Sequence, residues 1–126
     1  VEQMAAPHGV EILIGVSRDP TFGHAMTIGL GGIYVELFQD VARRLLPVSE
    51  REAAAMLGEL RAFALLDGAR GRPRRDVAAL CRLAAQVSDF VMANVSAVED
   101  LELNPVWVGN EGEGAVALDA LFIARS

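Results

Sequence analysis

The stretch that decides the fold is residues 101–121, Leu101-Glu-Leu-Asn-Pro-Val-Trp-Val-Gly-Asn-Glu-Gly-Glu-Gly-Ala-Val-Ala-Leu-Asp-Ala-Leu121. Its first residues alternate between apolar and polar, which predicts a β-strand with Glu102 and Asn104 on one face. A turn centred on Glu111 and Gly112 folds the stretch into a β-hairpin in which residues equally distant from the turn pair. This register places Asn104 opposite Asp119.

The pair of Asn104 and Asp119 is a candidate metal site. Directly opposed residues in an antiparallel sheet have Cβ atoms about 4.5–5.5 Å apart. Mg²⁺ takes oxygen ligands at about 2.0–2.1 Å and usually only one or two of them from protein. One oxygen from each side chain can therefore reach the same ion. The alternative is an amide and a carboxylate on the wet side of a surface hairpin, and the pattern alone leaves both open.

The composition argues against several classes of protein. A net charge of −6 argues against a nucleic-acid partner. No apolar run reaches the roughly 18 residues of a membrane span, and no signal-peptide pattern is present. The single cysteine, Cys81, rules out an internal disulfide and is typical of a reducing compartment. We therefore expect a cytoplasmic protein without a membrane partner.

The length and the apolar content point in different directions. The 126 residues suit one domain spanning 1–126. Hydrophobic residues make up 52% and the mean hydropathy is +0.33, which is high for a free-standing domain. Since the chain also begins at Val1 rather than Met, we expect a piece of a longer polypeptide with an apolar face for a missing neighbour. A core-heavy composition is the alternative, and self-association into a homo-oligomer also stays open.

The hydrophobic periodicity predicts the order β-β-β-β-α-α-β-β. Ser49 and Glu52 form a capping box at the start of the first helix, and Pro73 suits the first turn of the second helix. Trp107 is expected in the core, on the strand face of Leu101 and Leu103. The order indicates an α+β domain, an antiparallel sheet with two helices packed on one face. The predicted strands before the helices are 10–16, 25–29, 33–38 and 41–46, the helical stripes are 53–64 and 77–91, and the closing hairpin is the one above.

Two further acidic residues are candidate ligand contacts. Glu11 and Glu36 each interrupt an otherwise apolar strand, so each either faces solvent or points into a nucleotide cleft. The glycine-rich run 29–32 precedes a strand rather than a helix, so it matches neither a P-loop nor a dinucleotide fingerprint. His8 and His24 are far apart in the sequence, and neither has a Ser, Cys or carboxylate at a revealing spacing. The sequence therefore predicts neither a zinc site nor a nucleophile triad.

Several segments of the chain, taken in order, resemble the NDP-forming acyl-CoA synthetases. The match is to the second half of the ATP-grasp domain, as in the β subunit of ADP-forming acetyl-CoA synthetase, with succinyl-CoA synthetase as a more distant relative. The motifs are Gly9-Val-Glu-Ile-Leu-Ile-Gly-Val-Ser-Arg-Asp-Pro-Thr-Phe-Gly23, Gly29-Leu-Gly-Gly-Ile-Tyr-Val-Glu36 followed by Asp40, Leu46-Pro47, Arg70-Gly-Arg-Pro73, Glu102-Leu-Asn-Pro105 and Ala117-Leu-Asp-Ala120.

The resemblance implies a fold, a reaction and a set of roles. The fold is the C-terminal half of an ATP-grasp domain. The reaction converts acyl-CoA, ADP and phosphate into free acid, CoA and ATP, through an acyl phosphate and a phosphohistidine. In the family, the Asn of the Glu-x-Asn-Pro motif and the Asp of the next strand bind Mg²⁺, which assigns Asn104 and Asp119. The motif's Glu lies near the phosphohistidine, which assigns Glu102.

The chain departs from the family in ways that limit the expectation. Phe22-Gly23-His24 stands where many relatives have Phe-Gly-Pro. The N-terminal ATP-grasp half, the CoA-binding domain or subunit, and the phosphorylated histidine are missing, so the chain alone is predicted to be inactive. These parts and the nucleotide are the expected partners. Neither the acyl substrate nor the choice between ADP and GDP follows from the sequence.

Two other functions remain open at this point. In relatives fused to a protein acetyltransferase, the same region would be a non-catalytic regulatory module that binds a ligand. A carboxylate–amine ligase of the ATP-grasp type is less favoured, because such enzymes carry their metal carboxylates in a different order along the closing strands.

Overall fold

The computed structural model describes residues 10–30, 40–61, 63–66, 68 and 74–126. Within them, six strands form one antiparallel sheet in the order β3-β2-β1-β4-β5, and β6 pairs with β4 beside β5. The strands are β1 (Val10–Asp19), β2 (Gly23–Leu30), β3 (Val41–Leu45), β4 (Val98–Val108), β5 (Ala115–Ala117) and β6 (Ala120–Ala124). The predicted strand 33–38 lies outside the described residues.

The helices are α1 (Glu50–Gly58), α2 (Phe63–Leu66) and α3 (Val77–Ala93). The predicted capping box is confirmed, since the Ser49 hydroxyl accepts from the Glu52 N–H at 3.1 Å and the Glu52 carboxylate accepts from the Ser49 N–H at 3.4 Å. The prediction of one helical stripe over 53–64 was wrong, because α1 ends at Gly58 and a separate helix, α2, begins at Phe63. The start of α3 at Pro73 was also wrong, because its N-cap is Asp76. None of the described helices is long and apolar enough to cross a membrane.

The main core lies between one face of the sheet and the helices. Alternate residues of β1 and β2 supply the sheet side, and the apolar stripes of α1 and α3 supply the other. The predicted fold class is therefore confirmed: α+β, an antiparallel sheet with two helices packed on one face. The fully buried large side chains of this core are Ile12, Ile14, Val16, Met26, Ile28, Met56, Leu57, Leu66, Leu80, Val91, Val98 and Val106.

The register of the closing hairpin agrees with the prediction. Val106 pairs with Ala117 in β5, and Leu103 pairs with Ala120 in β6. Between these pairs, the Asn104 N–H donates to the Asp119 carbonyl at 3.2 Å, so the two residues lie opposite each other. The turn is centred on Glu111 and Gly112, as the Glu113 N–H donates to the Asn110 carbonyl at 2.8 Å.

A bulge in β4 changes which residues face the core. Ile12 pairs with Val106 but Ile14 pairs with Leu103, so β4 has one residue more than β1 between these points. The extra residue falls at Asn104–Pro105, where the peptide bond is cis. The bulge reverses the alternation, so Val106 belongs to the core between the sheet and the helices and Trp107 does not. The predicted burial of Trp107 is confirmed, but its face was wrong: it pairs with Glu11 and is buried on the opposite side from Leu101 and Leu103.

Candidate functional site

The face of the sheet turned away from the helices, called the open face below, carries the polar residues of the strands. Its centre is a shallow depression of about 390 Å³. The floor is low because Gly15 of β1 has no side chain and its paired neighbour on β2 is the small Thr27. The depression is lined by Leu13, Gly15, Ser17, Thr27, Val41, Arg43 and Glu102.

Glu102 forms one wall of this depression. It is exposed, and its neighbour on β1 is Gly15, so nothing on that strand covers its carboxylate. Arg43 lies on the other side of the depression, where its Nε donates to the Thr27 hydroxyl at 3.2 Å. The depression thus has an anionic wall and a cationic wall, arranged along one row of the sheet.

Asn104 and Asp119 lie next to Glu102, at the edge of the open face. Asn104 is half-buried and Asp119 is exposed. The Oδ1 atom of Asp119 accepts from the Ala120 N–H at 2.8 Å. Within the part of the chain that the structure describes, neither the other carboxylate oxygen of Asp119 nor the side-chain amide of Asn104 has a hydrogen-bond partner. Asn104 on β4 and Asp119 between β5 and β6 thus lie opposite each other, and each has a side-chain oxygen open to a ligand.

This donor set fits Mg²⁺ better than it fits a structural metal. Among the described residues, no group of three or more His, Cys, Asp and Glu is close enough to hold a metal ion by itself. Mg²⁺ keeps several waters and binds through one or two protein oxygens plus substrate phosphates. Asn104 and Asp119 supply that number, so the remaining ligands of an ion here would be waters or phosphate oxygens.

The other two acidic candidates lie apart from this pair. Glu11 is exposed at the start of β1 and pairs with Trp107. Trp107 follows Asn104 by three residues on β4, so Glu11 lies roughly 10 Å along the strands from Asn104. The structure therefore puts Glu11 on the open face but away from the metal pair. Glu36 lies outside the described residues.

A residue that the sequence analysis missed ties this hairpin to the helical layer. The Asp76 carboxylate accepts from the Ala79 N–H at 3.1 Å, which caps α3. It also accepts from the turn, at 3.1 Å from the Gly112 N–H and 2.9 Å from the Gly114 N–H. Burial alone raises the pKa of Asp76, but these three amides hold the pKa below its ordinary value. An aspartate directly before an apolar helical stripe was the available signal.

His24, which the sequence analysis noted as a departure from the family pattern, has a structural role. His24 is buried at the start of β2, and its Nε2 atom lies 2.8 Å from the Val98 carbonyl of β4. This contact ties β2 to the start of β4 across β1. The side chain of His24 is thus part of the packing at the start of β2.

Comparison with known proteins shows the family and the fold of this chain. Residues 1–123 match the model of a family described as the ATP-grasp domain. The chain is 43% identical over 117 residues to the β subunit of acetate–CoA ligase (ADP-forming) II of Pyrococcus furiosus, a match covering 93% of this chain and 50% of that protein. It is 38% identical to the 4-hydroxybutyrate–CoA ligase (ADP-forming) of Nitrosopumilus maritimus, over 88% of this chain and 16% of that protein.

A solved structure gives the same picture. The dinucleotide-forming acetyl-coenzyme A synthetase 1 of Ca. Korarchaeum cryptofilum, in complex with coenzyme A and Mg-AMPPCP, superimposes with a TM-score of 0.86 at 39% identity. The match covers 95% of this chain and 55% of that one. The chain thus spans about half of the β subunits it resembles and less than a fifth of the single-chain relatives.

Proposed function

This chain belongs to the ATP-grasp family, and we propose that it is the nucleotide- and Mg²⁺-binding part of an NDP-forming acyl-CoA synthetase. The complete enzyme would convert acyl-CoA, ADP and phosphate into free acid, CoA and ATP through an acyl phosphate and a phosphohistidine. The observation that carries the proposal is Asn104 opposite Asp119 on the open face, beside Glu102. The similarity to ADP-forming ligases supports it.

The proposed site divides the work among three residues. Asn104 and Asp119 would hold Mg²⁺, which would supply positive charge to offset the negative charge that develops during phosphoryl transfer. Glu102 would accept a hydrogen bond from the imidazole of the phosphohistidine and so fix its tautomer. Glu102 and Asn104 extend from β4, whose other face packs in the core, and Asp119 is paired to β4 through the Asn104 N–H, which supports the placement of the three without ligand.

Two further acidic residues would contact the nucleotide itself. Glu11 is an acceptor at the end of the open face where β1 begins, so it suits a hydroxyl of the nucleoside. This assignment makes the nucleotide lie along the strands, with its phosphates at Asn104 and Asp119. Glu36, which lies outside the described residues, is proposed as a nucleotide contact from the sequence pattern alone.

The remaining parts of the enzyme would come from outside this chain. We propose that the N-terminal ATP-grasp half closes over the open face, and that a CoA-binding domain or subunit supplies the histidine. This chain alone would then bind nucleotide weakly and catalyse nothing. The acyl group would be selected elsewhere, in a cytoplasmic enzyme.

The test is acetyl-CoA-dependent formation of ATP from ADP and phosphate by the parent polypeptide with Mg²⁺. Asn104→Ala and Asp119→Ala should each lower turnover by about 10²-fold or more, as for loss of a preorganised charge-stabilising group. Asp89→Ala, exposed on α3, is the matched control and should leave turnover unchanged. A loss below about threefold at Asp119 would contradict the metal assignment.

A second variant separates the role of Glu102 from that of the metal pair. Glu102→Gln should slow phosphoryl transfer to the histidine, measured in a single turnover, while nucleotide binding with Mg²⁺ is retained. Equal loss of both would make Glu102 a structural residue. A wild-type parent that binds Mg²⁺–nucleotide but makes no ATP would favour the regulatory module instead.

A further inference from the structure

The edge strand β6 has the composition of a buried strand, but none of the described residues covers its outer edge. All five of its residues are exposed, and its three large apolar side chains keep about half of their surface in water: 55% for Leu121, 48% for Phe122 and 44% for Ile123. Leu121 and Ile123 point to the open face, whereas Phe122 pairs with Leu101 on the helix side. A strand that is apolar on both faces is typical of one with a further strand beside it and layers above and below.

The sequence of β6 is symmetric in character about its central residue. Ala120 and Ala124 are identical, Leu121 and Ile123 are isomers, and Phe122 lies between them. An antiparallel pairing of two copies centred on Phe122 matches Ala with Ala, Leu with Ile and Phe with Phe. Such self-complementarity is what a two-fold interface between identical chains requires.

The backbone of β6 is oriented for this pairing. At its start, the Ala120 N–H is bonded by the Asp119 carboxylate rather than by β4. Beyond its end, the Arg125 N–H donates to the Ala97 carbonyl at 3.0 Å and so points toward β4. Because N–H and C=O groups alternate in direction along an antiparallel strand, those of Phe122 and Ala124 point away from β4. Phe122 thus presents both groups at the free edge, as a pair centred on it needs.

The charges that flank β6 are complementary in the same register. Pairing centred on Phe122 brings Asp119 of one copy opposite Arg125 of the other, twice by symmetry. Within its own chain, the Arg125 guanidinium makes only a long contact of 3.4 Å, to the Val95 carbonyl. Opposite charges that face each other across strands stabilise the pairing.

From these four observations we propose that β6 pairs edge to edge with β6 of a second copy of this chain. The two sheets then form one continuous sheet across a two-fold axis at Phe122. The strand at the other end of the described order, β3, carries two arginines in its five residues, and charged residues are a common protection of sheet edges. β6 has no charge, so it is the edge suited to association.

The test is the molar mass of the full chain, by sedimentation equilibrium over a range of concentrations. The interface is smaller than a standard one of roughly 1,600 Å², so we expect a weak dimer whose population rises with concentration. Phe122→Glu should raise the Kd at least about tenfold, because it places like charges face to face on the axis. The matched control is Phe22→Glu, 71% exposed on the β1–β2 turn, which should leave the Kd unchanged.

Two further variants keep the proposal testable if Phe122→Glu disturbs folding. Arg125→Asp should weaken the dimer about threefold to tenfold, and the double variant Asp119→Arg, Arg125→Asp should restore it, since the opposed charges are exchanged. Phe122→Cys should form a disulfide between copies on mild oxidation, because directly paired residues have Cα atoms about 5.5 Å apart. Phe22→Cys should not.

A wild-type chain that stays monomeric at about 500 µM would overturn the proposal. So would a dimer whose Kd is unchanged by both Phe122→Glu and Arg125→Asp. These outcomes are independent of nucleotide binding, so they leave the proposed function untouched.

Discussion

The two faces of the sheet use the same strands but carry different kinds of information. On the helix side of β1, residues Ile12, Ile14 and Val16 are almost completely buried. On the open face of the same strand, Glu11 and Ser17 are exposed. The open face also buries Trp107, but its polar side chains are exposed, either as ordinary solvated residues or as contacts for a ligand. Most of the stability is therefore expected from the helix side, and the proposed chemistry from the open face.

The largest difference between the faces should appear in stability. Ile14→Ala should lower the free energy of unfolding by about 2–5 kcal/mol, because it removes fully buried methyl groups and leaves a cavity. Glu102→Gln should change it by less than about 0.5 kcal/mol. Urea denaturation followed by the fluorescence of Trp107, the single tryptophan, measures both. Similar costs on the two faces would contradict the division.

A thiol on each face should show the next largest contrast. Burial, with a smaller contribution from Glu50, raises the pKa of Cys81 to about 11. A cysteine introduced as Ser17→Cys on the open face should have an ordinary pKa near 8.5. At pH 8, a maleimide should modify the introduced thiol at least about 10²-fold faster, since the thiolate is the reactive form. Equal rates in the folded chain would show that the helix side is open to solvent.

The smallest effect concerns Asp76, which connects the two faces. Asp76→Asn should cost about 1–2 kcal/mol at pH 7, because one carboxylate oxygen that accepts two amides becomes a donor. The folded pKa of Asp76 is lowered, so its contribution is present above pH about 4 and is lost as the pH falls through the folded value. The variant and wild type should therefore converge in acid.

The exposed Asp89 of α3 provides the control for that measurement. Asp89→Asn should change stability by less than about 0.5 kcal/mol at pH 7. A cost at Asp76 that does not diminish in acid would mean that the carboxylate charge is unimportant there, and that only the shape of the side chain matters.

What the sequence predicted correctly rests on local chemistry. The capping box at Ser49 depends on residues three apart, and the hairpin register depends on one glycine-containing turn. Both are decided by neighbours in the chain, so a pattern is enough. The same holds for the apolar stripes that form the core.

What it missed rests on partners that are distant in the chain. The Asp76 carboxylate bonds amides 36 and 38 residues away, which no window of sequence contains. Trp107 was assigned to the wrong face because one extra residue in β4 is visible only against β1. The roles of Glu11 and Glu102 stay proposals for a different reason: their expected ligands are not part of this chain.

The clasp at Asp76 has a consequence for the order in which the chain becomes protected from solvent. One carboxylate holds the amides of Ala79 in α3 and of Gly112 and Gly114 in the hairpin turn. The Ala79 bond needs only the start of the helix, but the two turn bonds need both the turn and an Asp76 held in place by that helix. In native-state hydrogen exchange, the amides of Gly112 and Gly114 should therefore open together, and no later than the start of α3 opens. Protection of this turn thus depends on a helix that precedes it in the chain.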